Sequence, residues 1–177
     1  MTRRSSPQYV ALQDTLVEMR EATNLNQRDF AARLGRNKSF VWRLEVGERR
    51  AQVVELIEIA WAAGFSPASV IQRIQSGRPL VARAESRIEI PIGARLRAFM
   101  ARTLIEEIMK AREAAEESKR GLSATIGRSD SYAWKIENRK RLEVIEFLTL
   151  ATALAFNAAD VVATVARATI ARAAADA

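Results

Sequence analysis

LGRNKSFVWRLEVGERR, residues 34–50, returns later in the chain as IGRSDSYAWKIENRKR, residues 126–141. Set side by side without gaps from Leu34 and Ile126, both read Gly-Arg, then Ser-aromatic, then Trp, a basic residue, an aliphatic residue and Glu. The offset is 92 residues, a period long enough for a complete small domain. Beyond this stretch the second copy is one residue shorter, so ELIEIAWAAGFSPASVI (residues 55–71) aligns with EFLTLATALAFNAADVV (residues 146–162). Agreement of the apolar positions over both segments implies two related domains in tandem.

The bulk composition agrees with two small domains. A chain of 177 residues with 49% apolar content can bury a real core. Lys and Arg number 28 against 21 Asp and Glu, a net charge of +7 that favours a polyanionic partner. There is no cysteine and no histidine. Disulfides, thiolate or imidazole metal sites, Ser-His-Asp and Cys-His arrangements and the usual general base are therefore absent. The expectation is no metal, no cofactor, no catalytic residue and no enzymatic activity. The first ten residues, MTRRSSPQYV, have no apolar segment of the kind a secretory signal needs. The longest uncharged apolar-rich run, residues 147–159, falls far short of the roughly 18 residues of a membrane span. A soluble cytoplasmic protein with no membrane partner is expected.

Hydrophobic periodicity predicts only helices in the first copy. Val10, Leu12, Leu16, Val17 and Met19 recur at helical spacing over residues 9–22. Asn26 is placed to cap a second helix over residues 27–34 by accepting a backbone N–H, and Gly35 follows where a tight turn needs positive φ. A third helix runs from residue 37 or 38 to Val46 and stops at Gly47. A fourth, over residues 52–63, carries Val53, Leu56, Ile57, Ala60 and Trp61 on one side, and Pro67 opens a fifth bearing Val70, Ile71 and Ile74. Ser76-Gly77-Arg78-Pro79 breaks the pattern.

The first domain is thus placed at residues 1–78, a linker at 79–93 and the second domain at 94–177. Within the linker Arg87-Ile88-Glu89-Ile90 alternates like a short edge strand ended by Pro91, and reads equally as an extended tether. A long helix is expected over residues 94–117. Ser118 then caps a short helix to Ile126, Gly127 makes the turn, and residues 131–137 match the third helix of the first copy. The Ala-rich tail, residues 163–177, continues the last helix with Val165 and Ile170; it either packs on its own domain or serves as a dimer contact.

A helix enters the major groove of DNA only when a second helix braces it at a fixed angle. That needs a small residue at the crossing, a turn residue between the helices and aliphatic anchors behind the reading helix. Ala31, Gly35, and Val41 with Leu44 meet those needs. Residues 16–71 thereby resemble the Cro/repressor, or xenobiotic-response-element, helix-turn-helix family, through NQRDFAARLG, the helix ending RLEVGERR, and the aliphatic helix ending Gly-Phe-Ser-Pro. Residues 108–162 resemble it more loosely. The resemblance implies an all-α chain of two tandem five-helix lambda-repressor-like domains, with double-stranded DNA as partner through the major groove.

By that resemblance Gln27 holds a phosphate, and Asn37, Lys38, Ser39 and Arg43 face base edges. The residue types suit base recognition, since Arg and Lys match guanine, Asn matches adenine, and Ser donates or accepts. Arg36, Arg49 and Arg50 lie near the ends of the reading helix, where phosphates pass. Residues 33–50 hold six basic and two acidic side chains. In the second copy Lys119 replaces Gln27 and suits a phosphate as a point charge. The reading positions become Ser129, Asp130, Ser131 and Lys135, flanked by Arg128, Arg139, Lys140 and Arg141, and residues 119–141 hold seven basic against two acidic groups. Asp130 caps the helix or accepts from cytosine, and it also repels phosphate. Arg139 stands where the first copy has Gly47, which points to a different path after that helix.

Trp42 and Trp134 occupy equivalent positions beside the readers. Either they pack between helices, or they touch a thymine methyl, a sugar or another protein. Trp61, with Thr152 in its place in the second copy, is expected in the core. The pairs Glu106-Glu107 and Glu116-Glu117 form no acid/base site, because helix neighbours point apart.

The expected function is a transcription regulator acting as a repressor of phage or mobile-element type, by promoter occlusion. Two unequal readers on one chain make a covalent pseudo-dimer; a homodimer of such chains would show a longer palindrome. Alternatives are an activator touching RNA polymerase, a chain whose second domain dimerises or binds a protein partner, and a nonspecific architectural DNA binder.

Overall fold

The computed structural model describes residues 6–82, 92–129, 131–139 and 141–176, leaving aside the side chains of Ala133, Glu137 and Arg139. These residues fold entirely as helices, joined by turns and two isolated bridges. The helices are α1 (Pro7–Glu21), α2 (Gln27–Arg33), α3 (Ser39–Glu45), α4 (Val53–Ala63), α5 (Pro67–Ser76), α6 (Ala94–Ala114), α7 (Lys119–Thr125), α8 (Tyr132–Arg139), α9 (Val144–Ala153) and α10 (Ala158–Ala175). The strand or tether expected at 87–90 lies outside the described residues. No described helix is long and apolar enough to cross a membrane. Two compact units result, Met1–Ala51 with Glu55–Ile88, and Gln52–Val54 with Glu89–Ala177.

In the first unit α1 starts because Pro7 supplies the first helical φ and the Ser6 hydroxyl accepts the Tyr9 amide. It buries Leu12, Leu16 and Met19, while Val10 faces solvent at 47% exposure. Asn26 caps α2 by accepting from the Asp29 amide at 2.9 Å. Phe30 and Ala31 of α2, Phe40, Val41 and Leu44 of α3, and Leu56, Ile57 and Ala60 of α4 then fill the core. Trp61, expected inside, is half-buried. After α5 the chain turns back: the Ser66 amide donates to the Val81 carbonyl at 2.9 Å, and the Val81 amide donates to the Ser69 hydroxyl at 3.1 Å. Residues 79–82, the start of the expected linker, thus stay bonded to the beginning of α5.

The second unit rebuilds the same sequence of events. Ser118 caps α7 through the Gly121 amide at 2.8 Å, as Asn26 caps α2. Leu122 and Ser123 are fully buried where the first unit has Phe30 and Ala31. The extra hydroxyl of Ser123 donates to the Lys119 carbonyl at 3.0 Å, so a polar group enters the crossing without losing its hydrogen bond. The rings of Phe147 and Phe156 meet in the core with centroids 5.8 Å apart. The Ala-rich tail forms α10 and packs along α6, burying Val165, Ala166 and Thr169, so the tail is part of its own unit's core.

Backbone conformation carries the repeat further than side-chain identity does. Left-handed residues fall at matching places: Asn24 and Glu116 after the first helix, Gly35 and Gly127 after the second, Gly64 and Ala155 after the fourth. At the last pair φ is 84° for Gly64 and 54° for Ala155. An alanine held there is strained by roughly 1–2 kcal/mol, partly offset by its smaller loss of chain entropy on folding. Ala155→Gly is therefore expected to stabilise the second unit by roughly 0.5–1 kcal/mol, and Gly64→Ala to destabilise the first by a similar amount. Urea unfolding of the intact chain measures both; a stabilised Gly64→Ala variant would contradict the strain argument.

Candidate nucleic-acid interface

Helix α3 has two faces because its apolar residues follow the helical period. Phe40, Val41 and Leu44 point inward at 8%, 4% and 3% exposure. Lys38, Ser39, Trp42, Arg43 and Val46 are left outside. Its position is fixed by α2: the Arg36 amide donates to the Ala31 carbonyl at 2.9 Å across the Gly35 turn, and Ala31 has no exposed surface. A larger side chain there would push α3 away. In the second unit the Arg128 amide donates to the Ser123 carbonyl at 2.7 Å over the Gly127 turn. Ile136 is buried, and Trp134 and Lys135 are exposed.

Beneath α3 lies a carboxylate that sequence reasoning did not single out. Glu45, with only 5% of its side chain exposed, accepts from Arg20 Nε at 2.7 Å and from Gln27 Nε2 at 2.6 Å. One acid therefore ties α1, α2 and α3 together. Arg20 also donates to the Leu25 carbonyl, and Arg112, at the same place in the second copy, donates to the Glu117 carbonyl at 2.7 Å. Gln27, expected on a phosphate, here spends its amide donor on Glu45 at the start of α2.

Arg36 and Arg49, expected on phosphates, are held by acids and by a ring. Arg36 pairs with Glu58 at 3.0 Å and Arg49 with Glu55 at 2.5 Å, and both guanidiniums lie over the Phe40 ring, 5.1 and 5.2 Å from its centroid. Arg128 does the same in the second unit, pairing with Glu146 and lying over Tyr132 at 5.4 Å. Arg50 and Arg141 are exposed, and Arg43, expected at a base edge, makes a loose solvent-exposed pair with Glu48 at 3.7 Å.

Some of the expected base-facing residues come together at the N-terminal end of each helix, while Arg43 lies in the last turn of α3 and Lys135 within α8. Ser39 Oγ donates to Asn37 Oδ1 at 3.0 Å, and Ser129 and Ser131 share a hydrogen bond at 3.2 Å. Lys38 stands beside the first pair, exposed. Lys119 opens α7 on its exposed side, and Arg139 closes α8. Asp130 and Lys140 lie outside the described residues.

Two further cations share this surface. Arg28 and Arg120 are both exposed as the second residue of α2 and α7, at the same 92-residue offset. The repeat itself could have revealed them. Trp42 and Trp134, for which packing between helices was one expectation, are instead 42% and 60% exposed. Comparison with protein-family models, curated proteins and solved structures finds no match to this chain.

Two outcomes follow from these side chains. Glu45→Ala takes from the part-buried Arg20 its shortest acidic partner, leaving the Leu25 carbonyl and the exposed Glu21 at 3.7 Å, and chemical denaturation should show a loss of about 3 kcal/mol; a loss below about 1 kcal/mol would mean the bond is not structural. Burial pushes the Tyr132 phenol above its ordinary 10.0, Glu146 raises it further, and Arg128 opposes both. Its contribution to stability is full below pH 10.0 and is lost as pH rises from there toward the higher folded value, because the unfolded phenol ionises first. Tyr132→Phe should accordingly reduce the alkaline loss of stability, read from unfolding midpoints on either side of pH 10.0.

Proposed function

We propose that this chain is a sequence-specific double-stranded DNA-binding regulator built from two tandem helix-turn-helix domains of the Cro/repressor type. One observation carries the reading. Each unit packs a short helix by its inner face, against a small buried residue and a left-handed glycine turn, and leaves outward a row of polar and cationic groups. A braced helix with such a face is what entry into the major groove requires. An interaction module has no need of cations repeated at the same offset around both helices.

In this reading Lys38, Ser39, Asn37 and Arg43 contact bases in the first domain, and Ser129, Ser131 and Lys135 in the second. Arg28, Arg50, Lys119, Arg120 and Arg141 face phosphates. Arg36, Arg49 and Arg128 act chiefly by holding the helix pair in place through their acidic partners and the aromatic ring beneath. Gln27, bonded to Glu45, approaches the backbone as part of that same brace. The readers differ between domains, so the bound site is bipartite with unlike halves. Repression by covering a promoter needs nothing beyond these two domains.

Selection of bound duplexes from a random library with the intact protein tests this. A bipartite enriched motif is expected. Arg43→Ala should relax one base pair in one half at a cost of about 1–3 kcal/mol, and Lys135→Ala should relax a position in the other half. A library that yields no motif, with equal affinity for all duplexes, would leave an architectural binder; no binding at all would favour a protein partner.

A further inference from the structure

The described residues expose only five large apolar side chains, and two of them are Trp42 and Trp134. Both sit at the same place on the outward face of their helices, separated by the repeat offset of 92. Their surroundings are polar. Trp42 lies one turn after Lys38 and Ser39 and beside Arg43, with Val46 one turn beyond. Trp134 lies between Ser131 and Asn138, next to Lys135, and Asn138 Nδ2 donates to its backbone carbonyl at 2.8 Å. Neither ring is needed for the core, which Phe40, Val41 and Leu44 fill in one unit and Ile136 helps to fill in the other. A protein partner would call for a wider apolar patch than one ring with at most Val46 beside it, set among polar and cationic groups. A polyanion with an isolated apolar feature fits better.

The edge of a base pair in the major groove offers one such feature, the C5-methyl group of thymine. We propose that Trp42 and Trp134 are specificity-determining residues that each cover a thymine methyl, one in each half of the bound site. The inference rests on the DNA-reading function and adds a base identity to it. The other readers cannot make this distinction, because they recognise hydrogen-bonding groups, and a thymine without its methyl keeps them all. The indole presents a broad flat apolar surface that loses contact when the methyl is removed.

The test replaces each thymine of the selected duplex singly with deoxyuridine, which removes only the methyl, and measures Kd with the intact protein. The wild-type chain should bind about fourfold more weakly at one thymine in each half, the effect of one buried methyl group. Trp42→Ala should bind the thymine and deoxyuridine duplexes alike in its half and keep full sensitivity in the other; Trp134→Ala should do the reverse. Trp42→Phe, which retains an aromatic face, should retain the sensitivity, and the far-ultraviolet circular dichroism of all three variants should match wild type. Equal binding of every deoxyuridine duplex by wild type overturns the proposal, as does Trp42→Ala that still distinguishes the methyl. Quenched indole fluorescence without methyl dependence places the rings on sugar and also overturns it. If the library selection enriches no duplex, the DNA-reading function fails before any deoxyuridine is used, and this inference falls with it.

Discussion

Glu45 offers its carboxylate, almost shielded from water, to Arg20 from α1 and to Gln27 from α2. A charge in that position is tolerated only while its donors stay in place. The arrangement is directional, since two nitrogens on different helices must meet one carboxylate at 2.6 and 2.7 Å. Apolar packing of Leu16, Phe30 and Leu44 brings the three helices together without fixing their rotation. The ion pair and the amide fix it. The orientation of α3, and with it every outward side chain from Lys38 to Val46, follows from that bond and from the absence of bulk at Ala31.

Much of this was legible from residue types whose conformational demands are local. Asn26 and Ser118 cap helices wherever they open one, Gly35 and Gly127 relieve positive φ, and Pro67 starts α5. The all-helical character was legible too, because helical apolar spacing survives changes of residue. The partners of charges were not legible. Arg36, Arg43 and Arg49 look alike in sequence, yet two are clamped by Glu58 and Glu55 against Phe40 and the third is nearly unengaged. Those acids lie six or more residues away, on the far helix, and no local pattern announces them. The six basic residues of positions 33–50 therefore overstate the unpaired cations that a polyanion meets at α3. The packing of α10 on α6 was also open, since an alanine-rich helix with scattered Val and Ile fits an internal or an external partner equally well.

The split between the inner and outer faces of α3 and α8 has a consequence for how such a protein changes over generations. Inward positions pair chemically across the repeat: Phe40 with Tyr132, Leu44 with Ile136. Outward positions are mixed: Ser39 with Ser131 and Trp42 with Trp134 are kept, Arg43 and Lys135 keep the charge, and Asn37 against Ser129 and Val46 against Asn138 do not match. Both sets lie on or just beside helices of seven and eight residues, yet they answer to different pressures. Surface substitutions away from caps and buried pairs usually change stability by less than about 0.5 kcal/mol. Substitutions on the outer face thus leave the helix packing largely intact while the surface presented changes. The chain carries two partly different outer faces on helices whose inner faces match, and a change on the outer face of either helix leaves its inner packing in place.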